Sequence, residues 1–197
     1  FLSDRYADMG QQFWYAVAPA FRQNSSSLNS NSTTTFSLDG VGGIAAVIIA
    51  PGPSIDGQVR NNSSQANRYL ESNNVTGPDF LTNHPTDPRM LNDMIVSITV
   101  AEVMTFATLR VAQEVKRVLD IYYAANGNTY PALQADFSVA MTASGAAWVA
   151  ANAWISSSLL SYTQLSPSVA TVQFTNCAIV YTFEQAQSGF TRSQRSC

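Results

Sequence analysis

The residues that could do chemistry are few and scattered. His84 is the only histidine, and it stands beside Pro85 in a polar loop, so zinc chemistry resting on several histidines has no donors. A Ser–His–Asp arrangement would have to use His84. Yet no Gly-x-Ser-x-Gly elbow holds a nucleophile, and the Ser-Gly pairs at 144–145 and 188–189 lack its flanks. Asp79, Asp87 and Asp93 share one polar region and carry the oxygen ligands calcium takes, without the closely spaced Asp-x-Asp-x-Asp pattern of a calcium loop. In "DGVGG", Asp39 to Gly43, the glycines precede a strand, whereas a phosphate loop needs them to follow one and open a helix; a turn is expected. The remaining carboxylates are dispersed, so a glycosidase pair could arise only from the fold. The expectation is a non-enzymatic protein with no cofactor, no metal and no catalytic residues.

Groups that could bind or staple are more informative. Trp14, Trp148 and Trp154 are either sugar-stacking surfaces or core aromatics, and their apolar surroundings favour the core. Asn24, Asn31, Asn61, Asn62 and Asn74 each match Asn-x-Ser/Thr, a pattern that matters only in a glycosylating source. Cys177 and Cys197 are the two cysteines. A free thiol at Cys197 would be exposed and reactive, so a Cys177–Cys197 disulfide is expected in preference to two buried thiols. It would restrain the last part of the chain and mark an oxidising compartment.

The 197 residues are 46% hydrophobic and 12% charged, with Lys116 the only lysine and a net charge of -3. That is a folded chain whose polarity comes from hydroxyl and amide side chains. It has no basic cluster to neutralise phosphates, so no broad nucleic-acid surface is expected. No apolar run reaches the ~20 residues of a membrane span. Any export or anchoring segment is therefore expected to lie outside these residues.

The elements that must position these groups follow from periodicity. "QQFWYAVAP" reads as a strand ending at Pro19, and Arg22 to Thr35 as a polar loop with nothing to bury. "GGIAAVIIAPGP" reads as a central buried strand with a hard turn after it. Ser63 to Asn74 suits a short surface helix, and Thr76 to Arg89 is a proline-bearing loop. After a strand over Asn92 to Ile98, Thr99 and Glu102 have capping-box spacing, which starts a helix at Val100. Val100, Met104, Val111, Val115, Val118, Leu119 and Tyr122 share one face of that helix. Glu102, Arg110, Gln113, Arg117 and Asp120 share the other. Arg110–Glu114 and Lys116–Asp120 sit at i,i+4 as ion pairs. Asn126-Gly127 and Pro131 end the helix near Ala125. Phe137, Met141, Trp148, Ile155 and Leu159 then have helical spacing, and Ala170 to Ala186 reads as a strand or hairpin arm, with "GFTRSQRSC" as the returning edge. The fold class is thus α+β, an antiparallel sheet packed against a long central amphipathic helix. Its parts are 1–99, strand-rich, and 100–197, helix plus C-terminal strands, as one compact domain or two small ones.

Three patches resemble the head regions of type IV pilin-like proteins and type II secretion pseudopilins. "DMGQQFWYAVAPAF" is similar to their strand in which Asp-x-x-Gly precedes an aromatic Tyr-Ala-Val run, and "NDMIVSIT" to a later alternating strand. "LDIYYAANGNTYP" resembles the end of a pseudopilin's long helix, and Cys177–Cys197 the disulfide-closed end of many pilins. The resemblance implies a bacterial, extracellular or cell-surface subunit of a pilus or pseudopilus filament. Its partners would be other pilin-like subunits, in a homo- or hetero-polymer. The chain departs from the family at its start, since "FLSDRYADMG" cannot form the pilin's apolar anchoring helix. Membrane contact is therefore expected only through a segment outside this chain. A helix end in mid-chain implies two pilin-like heads in tandem or one enlarged head. The competing expectation is a secreted carbohydrate- or surface-binding module.

Overall fold

A computed structural model describes residues 13–22, 27–32, 34–55, 57–61, 64–82, 90–156 and 158–197. His84, Asp87, Asn24 and Asn62 lie outside them. The chain is mixed α+β, with two sheets dominated by antiparallel pairing and one long helix. It divides into two compact units, one from Phe1–Arg22 with Thr33–Val100, the other from Gln23–Ser32 with Ala101–Cys197.

The first unit is a five-stranded sheet. Its strands are β1 (Trp14–Val17), β2 (Phe36–Leu38), β3 (Val41–Ala50), β4 (Asp79–Phe80) and β5 (Met94–Thr99). The apolar β3 is central: β1 and β2 pair with successive stretches of it, β5 pairs along Ile44 to Ala50, and the short β4 adds in parallel to β2. Asp39 and Gly40, both at positive φ, close the tight β2–β3 hairpin, so the turn expected in "DGVGG" is made by its first two residues and the rest opens β3. The core lies on one face only, where Ile44, Val47 and Ile49 pack with Ala18, Phe36, Leu70 and Phe80. Over that core the segment read as a surface helix instead forms two 3-10 turns, Ala66–Arg68 and Ser72–Val75.

The second unit joins α1 (Val100–Ala125), α2 (Gln134–Ser144) and α3 (Ala147–Ala151) to an antiparallel meander of β6 (Leu160–Ser166), β7 (Val169–Phe174), β8 (Val180–Glu184) and β9 (Phe190–Arg192). The predicted apolar stripe of α1 is buried at Met104, Val111, Val115, Val118 and Leu119, and Thr108 hydrogen-bonds Tyr181 of β8 at 2.9 Å. Leu160, Tyr162, Ala170, Val172, Phe174, Tyr181 and Phe183 alternate inward from the meander. Burying each large side chain there contributes roughly 1.5–3 kcal/mol.

The C-terminal end of α1 is fixed by local chemistry. Gly127 and Asn128 take positive φ and stop the helix. The following Tyr-Pro is clamped to the meander: the Tyr130 amide donates to Pro167, the Tyr162 hydroxyl donates to the Pro131 carbonyl, and Tyr130 packs edge-on to Tyr123. The helical spacing from Phe137 to Leu159 does not make one helix. It breaks at Gly145, where an added Cβ would clash with the Met141 carbonyl oxygen, and again after Ala151. The strand-or-hairpin stretch from Ala170 resolves into β7 and β8, and β6 is a strand that sequence reading did not foresee.

Two ionic expectations on α1 fare differently. Lys116, buried, holds both oxygens of Asp120 at 2.6 Å. Arg110 does not pair with Glu114. Glu114 instead takes Arg117 at 2.5 Å and the Ala146 amide at 2.7 Å, which joins α1 to the start of α3. The Arg117 hydrogen bond is the main reason the Glu114 carboxyl lies below its ordinary range.

Candidate functional surfaces

The widest feature is an apolar sheet face in the first unit. The pairing register puts Tyr15, Ile48 and Val96 in one row across β1, β3 and β5, with Val17, Ala46 and Ile98 beside it and Ala50 next to Met94 on the other side. Every side chain in these rows is apolar. The opposite face is the core described above, so this face is the outer one, and it is open. Tyr15 is 79% exposed, Val96 65%, and Phe13, Ile48, Met94 and Ile98 between 40% and 43%. Phe13, Tyr15, Ile48, Ala50, Met94 and Val96, with Trp14 beside them, line a groove of about 540 Å³. The strand expected to be central and buried is central, and the Ile48 side of it is the open one. An exposed patch of this kind marks an interaction surface.

A second surface lies on the second unit. Trp148, half-buried, carries the Arg110 guanidinium 5.6 Å above its ring, and together with Leu28, Phe106 and Trp154 they line a groove of about 330 Å³. Phe106 at its rim is 73% exposed. Of the other tryptophans, Trp154 is core, buried edge-on to Phe174, while Trp14 is half-buried, packing with Tyr69 against the core of the first unit. Asn152, also in the groove, spends its side chain internally, accepting from the Leu28 amide at 2.8 Å and donating to the Trp148 carbonyl at 2.9 Å. The Asn29 amide nitrogen reaches the Asn152 carbonyl at 3.0 Å, and Asn176 donates to Ser30 and Asn31. The polar segment expected to form a solvated loop thus has Asn29, Ser30 and Ser32 buried. Side-chain amides make this possible by satisfying backbone groups that water would otherwise hold.

The third feature is a carboxyl pair in the first unit. Asp93, buried just before β5, accepts on Oδ2 from the Glu71 amide at 3.1 Å and from Asn74 at 3.0 Å. Among the described residues no donor nitrogen or hydroxyl reaches Oδ1. The Glu71 carboxyl lies in side-chain hydrogen-bond contact with Asp93, and burial followed by the Asp93 charge pushes Glu71 up to about 7. Glu71 also accepts from Gln58 at 2.9 Å, while Arg60, 3.9 Å away, is turned toward the Gly52, Pro53 and Tyr69 carbonyls.

The residues singled out from sequence are distributed as follows. Cys177 and Cys197 form the disulfide, and the Cys197 amide donates to Thr105, which ties the chain end to α1. Thr99 is the last residue of β5 and Glu102 sits in the first turn of α1. Of the aspartates weighed for calcium, Asp79 accepts from Ser37 and Asp93 is engaged as above. Among the described residues no group of three His, Cys, Asp or Glu is placed to hold a metal. Asn74 is buried and bonded to Leu81 and Asp93, so its glycosylation motif is inaccessible. Among the described residues no helix is long and apolar enough to cross a membrane. Sequence reasoning missed Glu71 and the outer row Tyr15–Ile48–Val96. Compared with protein-family models, curated proteins and solved structures, the chain finds no match.

Proposed function

We propose that the chain is a non-enzymatic, exported subunit of a surface filament of the type IV pilus or pseudopilus kind. It acts by packing against other pilin-like subunits, in assembly, adhesion, uptake or secretion. The observation that carries this reading is the construction of the second unit. A 26-residue amphipathic helix rests its apolar stripe on an antiparallel meander, and a disulfide closes the C-terminal end. That is the arrangement the sequence resemblance implies for a pilin-like head, and the disulfide fits an oxidising compartment. The open apolar face of the first unit supports a role fulfilled by packing. Reading the precursor gene tests the proposal: upstream of Phe1, a Gly-Phe junction and an encoded apolar stretch of ~20 residues are expected. A cleavable secretory signal alone would count against it.

A second reading, a secreted carbohydrate- or surface-binding module, draws on the half-exposed Trp148 with Arg110 above it. A glycan panel followed by tryptophan fluorescence tests it. A Trp148→Ala variant should lose any response, and an unresponsive native protein removes the reading.

A further inference from the structure

We infer that the groove between α1 and α3 binds a small aromatic carboxylate, its carboxyl on Arg110 and its ring against Phe106 and Trp148. The site is the one on which the second reading draws, but the ligand is not a sugar, and the filament reading does not bear on it.

The charge comes first. Arg110 stands exposed on α1, and its i,i+4 neighbour Glu114 is engaged by Arg117 and by the Ala146 amide. Among the described residues no carboxylate pairs with the Arg110 guanidinium, which lies 5.6 Å from the centre of the Trp148 ring. A guanidinium held over an aromatic ring keeps its edge N–H groups for a planar acceptor, and a carboxylate takes two of them side by side. The ring also restrains the long side chain, so less freedom is lost when the anion arrives.

The walls select the rest of the ligand. Leu28, Phe106, Ala107 and Trp148 are apolar, and the Phe106 ring is 73% exposed. Asn152 is spent on the Leu28 amide and the Trp148 carbonyl. A sugar carries a hydroxyl on most of its carbons and would lose bonds to water that this lining does not replace. An aromatic ring gives up no such bonds and gains edge or offset contacts with Phe106 and Trp148. At about 330 Å³ the groove is at the small end of ligand sites, which run from about 300 to 1,000 Å³. It has room for one ring with a short carboxyl arm, so the occupant is a free small molecule rather than an extended peptide.

The test titrates 3-phenylpropionate into the full oxidised chain and follows the tryptophan indole N–H signals by nitrogen-15 NMR, with Trp148 assigned by Trp148→Phe. A saturable shift of the Trp148 signal is expected, and it should weaken as salt rises. 3-Phenylpropanamide, which lacks the charge, and acetate, which lacks the ring, should each bind at least about tenfold more weakly. Arg110→Gln, at an exposed helical position that glutamine suits, should cost a similar factor. Phe106→Ala should weaken binding with the charge intact, and Arg195→Gln, which removes an exposed arginine outside the groove, should change nothing. Circular dichroism confirms that each variant folds; should Arg110→Gln fail this, the comparison of acid with amide on the native chain decides. No saturable Trp148 shift, equal binding of the amide, or indifference to Arg110→Gln overturns the inference. So does a peptide ending in phenylalanine that binds where 3-phenylpropionate does not, because the groove would then take a chain end. A response to neutral sugars without one to the carboxylate would remove this inference and keep the second reading; the opposite pattern would do the reverse.

Discussion

Replacing Glu71 by glutamine should abolish a pH dependence that the wild-type first unit possesses. The Glu71 side chain is 10% exposed, and burial with the Asp93 charge lifts its pKa from 4.5 to about 7. Between these values the folded state holds a proton that the unfolded chain has lost. Stability therefore falls as pH rises through that window and levels off above it. The shift corresponds to about 3 kcal/mol. In Glu71→Gln the new amide can donate to Asp93 as the protonated acid does, and its oxygen can still accept from Gln58. The variant should match the wild type near pH 5 and exceed it near pH 8 by about 2–3 kcal/mol. Carbon-13 carboxyl NMR reads the Glu71 midpoint directly, and urea titrations at several pH values read the stability slope. A Glu71 midpoint in the ordinary carboxylate range, or equal slopes for both proteins, would refute the raised Glu71 carboxyl.

Two further outcomes are expected in the second unit. Cys177→Ser, or reduction of the Cys177–Cys197 bond, should destabilise it by about 3 kcal/mol, and thiol titration of the unfolded, unreduced protein should find no free cysteine. Asn152→Ala removes the acceptor of the Leu28 amide and the donor to Trp148, a loss of about 1–3 kcal/mol for a group left unsatisfied; limited proteolysis should then cut near residues 27–32 faster than in the wild type.

The elements dominated by local signals were legible in the sequence. The helix over Val100–Ala125 announced itself by a capping-box spacing, one apolar face and an Asn-Gly stop. Its neighbour β5 and the apolar β3 stood out by composition. What periodicity could not say is which face of an apolar strand the fold covers. In "IAAVIIA" both faces are apolar, and only the register with β1 and β5 shows that the Ile48 face is open. β6 went unseen because Leu160 and Tyr162 continue the helical spacing set by Ile155 and Leu159, while Ser161, Thr163 and Gln164 give little strand signal. The Glu71–Asp93 pair spans 22 positions, and no local pattern joins two such carboxyls. Asn29 looked like a solvated loop residue because its partner Asn152 is more than a hundred residues away. The ion pairs split because Glu114 takes Arg117 at i,i+3 in place of Arg110 at i,i+4, and also accepts from the Ala146 amide, a tertiary partner that helical spacing cannot register.

The account's central claim is that this chain works by being built into a surface filament. Immunogold labelling of the source cells with antibody raised to the folded, disulfide-bonded chain tests it most directly. Label along surface filaments, lost when the gene is deleted, is the predicted result. Label confined to the culture medium or the cell interior, with filaments bare, would contradict it.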